Sequence, residues 1–161
     1  MSEDIFARLK QDHDRQRELL DQIESTQDAS DERADLFEAF NRDAKSHAAA
    51  EEQALYSTMM RKPPTTSETR HSVAEHHEIE EALNDLAATD LASSAWMGKF
   101  KQLKHDYLHH INEEEEEHFK DFEQYLTQED ELHMKEVFER RKKAESEAAT
   151  LTPEKYEDAK E

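Results

Sequence analysis

The chain has 161 residues, 41 of them Asp or Glu against 21 Lys or Arg, and a formal net charge of −20 at pH 7. That length suits one domain, and the negative charge argues against nucleic acid and anionic membranes as partners. The absence of Cys excludes disulfides and thiolate metal sites, and with neither a membrane-spanning apolar run nor a visible signal peptide we expect a cytoplasmic protein.

The composition favours long helices over disorder. Leu, Ile, Val and Phe make up only 26 of the 161 residues, a proportion typical of disordered chains. However, Ala, Glu, Lys, Leu and Arg together make up about half of the chain, which is typical of long helices, and only one Gly is present. The spacing of the apolar residues favours helix, because they recur at steps of three, four or seven, which places them on one helix face.

Four amphipathic helices are predicted in chain order. Their apolar stripes lie within residues 5–23, 36–60, 73–86 and 96–126, and polar turns or breaks fall near 27–31, 61–64 and 89–94. The second helix must end before Pro63-Pro64, since the residue before Pro leaves the α region. Thr65 and Glu68 are spaced as a capping box for the third helix. The predicted fold is an all-α, up-down-up-down four-helix bundle made of two helical hairpins.

A short fifth helix is predicted after the bundle. Thr127 and Asp130 are spaced as its N-terminal cap. We expect it to end in the basic run 140–143, where positive charge interacts favourably with the helix dipole. The chain after this helix is polar, which predicts one domain over 1–146 followed by a polar tail over 147–161.

Four His and two Glu recur with a constant offset of 63 residues. The pairs are His13 with His76, His47 with His110, and Glu51 with Glu114. Apolar residues share the offset, in the pairs Leu20/Leu83, Ile23/Leu86, Phe37/Phe100, Phe40/Leu103 and Tyr56/Phe119. An offset common to core residues and histidines indicates two copies of one hairpin.

The spacing of the histidines predicts a metal site inside the bundle. The midpoints between successive His of this set fall in the three predicted turns, so all four can lie in one layer, roughly 20 Å from either end. Each Glu lies four residues after a His and shares its helix face. Buried imidazoles and carboxylates need partners, and carboxylates can bridge two ions. Dinuclear iron is therefore the favoured occupant, with Mn or Zn as alternatives.

The sequence resembles the hemerythrin-like, or HHE cation-binding, domains over about 5–143. The matching motifs are Asp12-His13-Asp14, His47-Ala-Ala-Ala-Glu51-Glu52 leading to Leu55-Tyr56, Ala74-Glu75-His76, and His110-Ile-Asn-Glu-Glu114-Glu115 leading to Phe119. The resemblance implies a carboxylate-bridged, non-haem diiron centre with the four His as terminal ligands and the two Glu as bridges. It also implies binding of, or reaction with, dioxygen, nitric oxide or hydrogen peroxide, or a non-enzymatic role in binding or sensing iron.

The third helix departs from that of oxygen-carrying hemerythrin. That family carries His-x-x-x-His there, but Glu80 stands four residues after His76. One His fewer leaves a coordination position for water, Glu80 or a neighbour, which favours reactivity with small ligands over reversible oxygen carriage.

A purely structural bundle with ordinary polar His is a further hypothesis.

Neighbouring residues leave the assignment of some ligands open. The fourth helix of the family carries His-x-x-x-x-Asp, so His109 with Glu114, or His110 with Glu115, is an alternative pair. His77 is likewise an alternative to its neighbour His76. The remaining candidates, His71, His105, His118 and His133, are assigned to the surface or bundle edge. For His118, which aligns with Leu55 in the repeat, covering the site or packing beneath Phe119 is an alternative. The sequence indicates neither an oligomeric state nor a catalytic residue beyond the ligands.

Other polar residues near these motifs are given supporting roles. In the acidic run 113–117 only Glu114 is expected to face inward, with Glu115 and Glu117 as candidates to lie near the ligands. Tyr107, three residues before His110, is interpreted as a core residue close enough to hydrogen-bond near the metals.

Overall fold

Helices account for nearly all of the chain that can be described. The computed structural model describes residues 3–27 and 29–148, and these form five long helices without a strand. The helices are α1 (Ile5–Glu24), α2 (Asp31–Glu51), α3 (Thr66–Ala87), α4 (Ser94–Glu113) and α5 (Gln128–Ala148). Most of the predicted polar tail, 149–161, lies outside the described residues.

The first four helices form the predicted up-down-up-down bundle. Each packs against its neighbours in the ring α1–α2–α3–α4, and the connections between them are short, as antiparallel neighbours require. Helix α5 lies along α2 and α1. Within the described residues, no helix has the length and apolarity needed to cross a membrane.

The fifth helix is longer than predicted. It runs for 21 residues and continues past 140–143 to Ala148. Basic side chains of this run contact side chains of other helical segments, and the helix does not end at them. Lys142 Nζ donates to Asp12 Oδ2 at 2.8 Å and lies 2.9 Å from Asp43 Oδ1, which fixes α5 to both α1 and α2.

The two predicted caps differ in outcome. At the start of α5 the cap is confirmed, since the Thr127 and Asp130 side chains each accept the other's backbone N–H, at 3.1 and 3.0 Å. At the start of α3 the predicted capping box is wrong. The Thr65 hydroxyl donates to the carbonyl oxygen of Met59 at 2.7 Å, because the preceding helical segment ends there with carbonyls that need donors.

Helices α2 and α4 each continue through a π-helical turn. These turns span Glu52–Tyr56 and Glu114–His118, and short helical segments, Ser57–Met59 and Phe119–Glu123, follow them. A π turn holds one more residue than an α turn and is frequent at functional sites. Both turns begin at, or directly after, one of the two repeated glutamates.

The buried apolar side chains form two clusters at different levels of the bundle. The connection-end cluster contains Leu19, Leu20, Ile23, Phe37, Phe40, Ala44, Ile79, Leu83, Leu86, Trp96, Phe100, Leu103, Tyr107 and Ile111. The α5-end cluster contains Ile5, Phe6, Leu9, Ala50, Ala54, Leu55, Tyr56, Met59, Phe119, Phe122, Met134 and Phe138. All five apolar pairs of the repeat are buried in these clusters, each pair in one cluster.

Candidate metal centre

The six residues with the 63-residue offset meet in the layer between the two apolar clusters. Helix α1 supplies His13, α2 supplies His47 and Glu51, α3 supplies His76, and α4 with its π turn supplies His110 and Glu114. All six are buried, with at most 8% of any of them exposed. The structure therefore brings together all the residues that the sequence singled out as metal ligands.

The side-chain donor atoms form two groups that share one residue. His13, His47 and Glu51 form one group, and Glu51, His76, His110 and Glu114 form the other. Within each group the donor atoms lie within 4.8 Å of one another. Glu51 belongs to both groups, which is the placement expected of a carboxylate between two cations.

The Nε2 atoms of the imidazoles face the carboxylates. His110 Nε2 lies 2.6 Å from Glu114 Oε1, and His76 Nε2 lies 3.1 Å from Glu51 Oε1. His47 Nε2 is further from Glu51 Oε1, at 3.7 Å. Donor atoms bound to one first-row metal ion lie about 3–3.5 Å apart, since each bond is about 2.0–2.2 Å long.

Most of these donor atoms have no hydrogen-bond partner. Eight buried side-chain N or O atoms in the described part of the chain lack one, and six of them belong to this layer. They are Nε2 of His13, His47 and His110, both carboxylate oxygens of Glu51, and Oε1 of Glu114. Because an unsatisfied buried polar atom costs about 1–3 kcal/mol, their convergence indicates a cation as the missing partner.

Each of the four imidazoles is held through its other ring nitrogen by a carboxylate. The Nδ1–H groups donate from His13 to Glu115 (2.6 Å), from His47 to Asp12 (2.8 Å), from His76 to Glu52 (3.3 Å) and from His110 to Glu75 (2.9 Å). Metal-binding histidines commonly have such a partner, which fixes the tautomer and turns Nε2 toward the ion.

The supporting carboxylates obey the same repeat as the histidines. Asp12 and Glu75 are 63 residues apart, and so are Glu52 and Glu115. Asp12 and Glu75 each support a His of their own hairpin, whereas Glu52 and Glu115 each support a His of the other. Only Glu115 was expected near the ligands. The other three, Asp12, Glu52 and Glu75, could have been recognised from the 63-residue offset.

The alternative ligands lie elsewhere. The side chains of His77 and His109 are 73% and 65% exposed, and their Nε2 atoms face Glu81 and Glu113, at 3.1 and 3.3 Å. Glu80 is exposed as well and belongs to neither buried group. The geometry thus favours His76 and His110 as ligands over His77 and His109.

His118 does not lie at the surface or bundle edge, but is buried, as the alternative based on its alignment with Leu55 allowed. This residue is only 4% exposed, and it packs against Phe122 with ring centroids 6.2 Å apart. The extra residue of the π turn rotates the helix at this point, so His118 turns inward toward α3. Glu117 lies near Glu113 and His118 and not near the predicted ligands.

Burial and charge act unequally on the two glutamates. Burial raises the pKa of Glu51 well above its usual range, and the charge of Glu114 raises it further. Burial also opposes ionisation of Glu114, but His110, the interaction with the Glu51 carboxyl group and the charge of His13 together outweigh it and hold the pKa of Glu114 well below its usual range. The carboxylates of Glu114 and Glu75 outweigh burial at His110 and raise its pKa to about 9.

Two of the other imidazoles favour the neutral form. Burial lowers the pKa of both His13 and His76. Neutral imidazole is the form that binds a metal ion. Without a cation, the layer therefore combines two imidazoles that favour the neutral form, the charged pair of His110 and Glu114, and one carboxyl group, Glu51, that resists ionisation.

Two tyrosines lie close to the layer. Tyr56 donates its hydroxyl hydrogen to Glu114 Oε2 at 2.9 Å. Tyr107 donates to Gln16 Oε1 and is buried in the connection-end cluster. Burial raises the pKa of both phenols well above its usual value, so both keep their protons.

A cavity of ≈ 450 Å³ reaches this layer from the side of α2 and α3. At its inner end lie His47, His76, His110 and Glu114, and the exposed Glu80 lies along its outer part. Much of the remaining wall is small or apolar, contributed by Ala44, Ala48, Ala49, Val73, Ile79, Leu83 and Ile111. A small molecule therefore has a route to the donor atoms.

Comparison with known proteins identifies relatives of this chain. The family described as hemerythrin HHE cation binding domain matches residues 4–122. A crystal structure of a hemerythrin HHE cation-binding domain-containing protein from Mycobacterium kansasii superimposes with a TM-score of 0.80 at 19% identity. The alignment covers 92% of this chain and 90% of that one, which shows a common fold. No curated protein matches the chain significantly in sequence.

Proposed function

Since the chain belongs to the hemerythrin HHE cation-binding domain family, we propose that it is a non-haem diiron protein that binds or reacts with dioxygen, nitric oxide or hydrogen peroxide. The observation that carries this proposal is the convergence of six buried, unpartnered donor atoms from His and Glu. No other arrangement within the described residues leaves so many donors without a partner.

The donor set fits two irons. His13 and His47 with Glu51 would hold one ion, and His76 and His110 with Glu114 and Glu51 would hold the other. Imidazole with carboxylate suits Fe, and the shared carboxylate of Glu51 suits a bridge. The four supporting carboxylates add fixed orientation, as metal-binding histidines require. Mn or Zn at the same ligands is the alternative that metal analysis must exclude.

A diiron(II) pair supplies two electrons when bound, one from each metal, which suits reduction of dioxygen or peroxide. The residues of the chain control access and protons around that chemistry. The Ala-lined cavity admits small molecules to one side of the layer. The Tyr56 hydroxyl keeps its proton and directs it at Glu114 Oε2, where it stabilises the negative charge of that carboxylate.

The test is the iron content of the folded chain after anaerobic loading with ferrous iron and desalting. We expect about two irons per chain in the wild type and fewer in His76→Ala and His110→Ala. Their neighbours provide matched controls, since His77→Ala and His109→Ala remove exposed imidazoles and should leave the count at two. Wild-type protein that folds as a helical bundle but retains no iron would overturn the proposal.

Reactivity is tested on the iron-loaded protein by optical titration with dioxygen, nitric oxide and hydrogen peroxide. A spectral change with at least one of them is expected, and it should be absent from Glu51→Ala. Iron that exchanges readily with a chelator and responds to none of the three would instead support a non-enzymatic iron-binding or iron-sensing role.

A further inference from the structure

A second cluster of metal-binding side chains lies outside the buried layer, between α3 and the C-terminal end of α4. His71 comes from α3, Glu113 is the last residue of α4, and His118 closes the π turn that follows. Two candidate ligand groups overlap here, one of His71, Glu75 and Glu113, and one of Glu113, Glu117 and His118. None of these residues is among the six of the main centre.

One carboxylate oxygen is at the centre of this cluster. Glu113 Oε1 lies 2.9 Å from His71 Nε2 and 3.2 Å from His118 Nε2. Glu75 Oε1 lies 3.4 Å from the same His71 nitrogen. These N···O separations are close to the spacing, about 3–3.5 Å, of donor atoms that share one first-row metal ion.

The orientation of His118 is that of a metal-binding imidazole. Its side chain is only 6% exposed, and its Nδ1 is hydrogen-bonded to the Ser72 hydroxyl at 2.9 Å. When the hydrogen is on Nδ1, the lone pair of Nε2 faces the Glu113 carboxylate and is available to a cation between the two atoms. The four histidines of the main centre are likewise held through Nδ1, although by carboxylates and not by a hydroxyl.

The surroundings concentrate negative charge. Glu117, Glu68 and Asp121 lie beside the cluster, and partial burial together with a hydrogen bond to Asp121 raises the pKa of Glu68 to about 7. The nearby charges of Glu117 and Glu113 contribute to the same shift. Such a region attracts cations from solution, and His71, whose side chain is 53% exposed, leaves the cluster open to them.

We propose that His71, Glu113 and His118 form an accessory binding site for a divalent transition-metal ion, with Glu75 and Glu117 at its edges. Two imidazoles and a carboxylate suit Zn²⁺ or Fe²⁺, and the exposed side leaves room for water as a further ligand. Glu75 connects the two sites, because it also accepts the Nδ1–H of His110 in the main centre. The accessory ion therefore binds one carboxylate away from the main centre.

The test is equilibrium dialysis of the iron-loaded protein against Zn²⁺, with iron and zinc both counted per chain. We expect one zinc in the wild type and at least a ten-fold weaker affinity in His71→Ala and in Glu113→Gln. His71 is 53% exposed, and Glu113→Gln conserves the shape of a side chain that is 18% exposed. The matched controls are His77→Ala, an exposed imidazole on the same helix, and Glu116→Gln, an exposed acid three residues after Glu113; both should bind zinc like the wild type.

Zinc X-ray absorption then identifies the ligands. Two imidazoles in the zinc shell of the wild type and fewer in His71→Ala are expected. Equal zinc binding by the wild type and by the His71→Ala/Glu113→Gln double variant would overturn the accessory site. Because the result is a difference between two proteins, it holds whichever metal fills the main centre, and so it is independent of the proposed diiron function.

Discussion

Tyr56 and Glu114 are joined across the two hairpins by a hydrogen bond of 2.9 Å, and the repeat does not reproduce it. The position 63 residues after Tyr56 is Phe119, which has no hydroxyl to donate. Glu114 therefore has a fixed donor on one oxygen, whereas both oxygens of Glu51 lack one within the described residues. The two glutamates are related by the repeat but differ chemically.

Replacing Tyr56 by Phe should destabilise the protein by about 1–3 kcal/mol. The change leaves a buried carboxylate oxygen of Glu114 without its donor while conserving the ring. The measurement is urea unfolding of the iron-free protein. Tyr125→Phe is the matched control, since Tyr125 is 41% exposed, and an equal effect of both changes would contradict the prediction.

Glu51→Gln should change stability in opposite directions with and without iron. In the iron-free protein it removes a carboxyl group whose ionisation is opposed by burial and by Glu114, so stability should rise by about 1–3 kcal/mol. Iron should raise the melting temperature of the wild type by about 10 °C or more, since a ligand that binds only the folded state stabilises it, and should have much less effect on the variant. Thermal unfolding of both proteins with and without iron gives the four values. Equal melting temperatures of the wild type in its two forms would refute the role of the metal.

Glu115→Gln should weaken iron binding by about 10–100-fold. Glu115 accepts the Nδ1–H of His13 and so fixes the direction of its Nε2. Competition with a chromophoric chelator measures the affinity. Glu116 is the next residue in the same acidic run and is exposed, so Glu116→Gln should bind iron like the wild type. A loss shared by both variants would point to net charge as the cause.

Glu68 predicts a pH dependence of stability. Partial burial and the hydrogen bond to Asp121 raise its folded-state pKa from 4.5 to about 7. A raised carboxyl pKa means that the folded state holds its proton more tightly, so stability is lost as the pH rises between these values. Glu68→Gln should thus raise the melting temperature of the iron-free protein by about 1–3 °C at pH 8 and leave it unchanged at pH 4. Glu78→Gln, on the same helix and exposed, should have no effect at either pH.

The meeting of the six His and Glu in one buried layer could be predicted because these residues recur at a constant offset in the sequence. The 63-residue offset relates both the histidines and the apolar pairs, and it alone separates His76 and His110 from their neighbours. The carboxylates that accept the Nδ1–H groups were harder to predict, because the chain has 41 acidic residues and these four do not stand out among them. Glu52 and Glu115 each accept a hydrogen bond from a His of the other hairpin, and this pairing forms only when the two hairpins pack together.

The π turns could not be predicted from the pattern. The residues at 52–56 and 114–118 are ordinary helix formers, and one inserted residue leaves no trace in local propensity. The insertion changes which side chains face inward, and His118 is buried there and not at the surface or bundle edge. The length of α5 was missed for a related reason, since Lys142 is held by Asp12 and Asp43, which are distant in sequence.

The separation of the apolar side chains into two clusters has a consequence for local opening. Helix α3 contributes Ile79, Leu83 and Leu86 to the connection-end cluster, but among the described residues only the partly buried Val73 packs from α3 against the α5-end cluster. The first half of α3 is therefore attached mainly through polar contacts, such as those of His71 and His76, with Val73 as its apolar contact. Its backbone amides should exchange with deuterium much faster than those near Leu83 when iron is absent, and iron should slow them most. Such opening would expose the donor atoms of the main centre on the side where α3 borders both the cavity and the proposed accessory site.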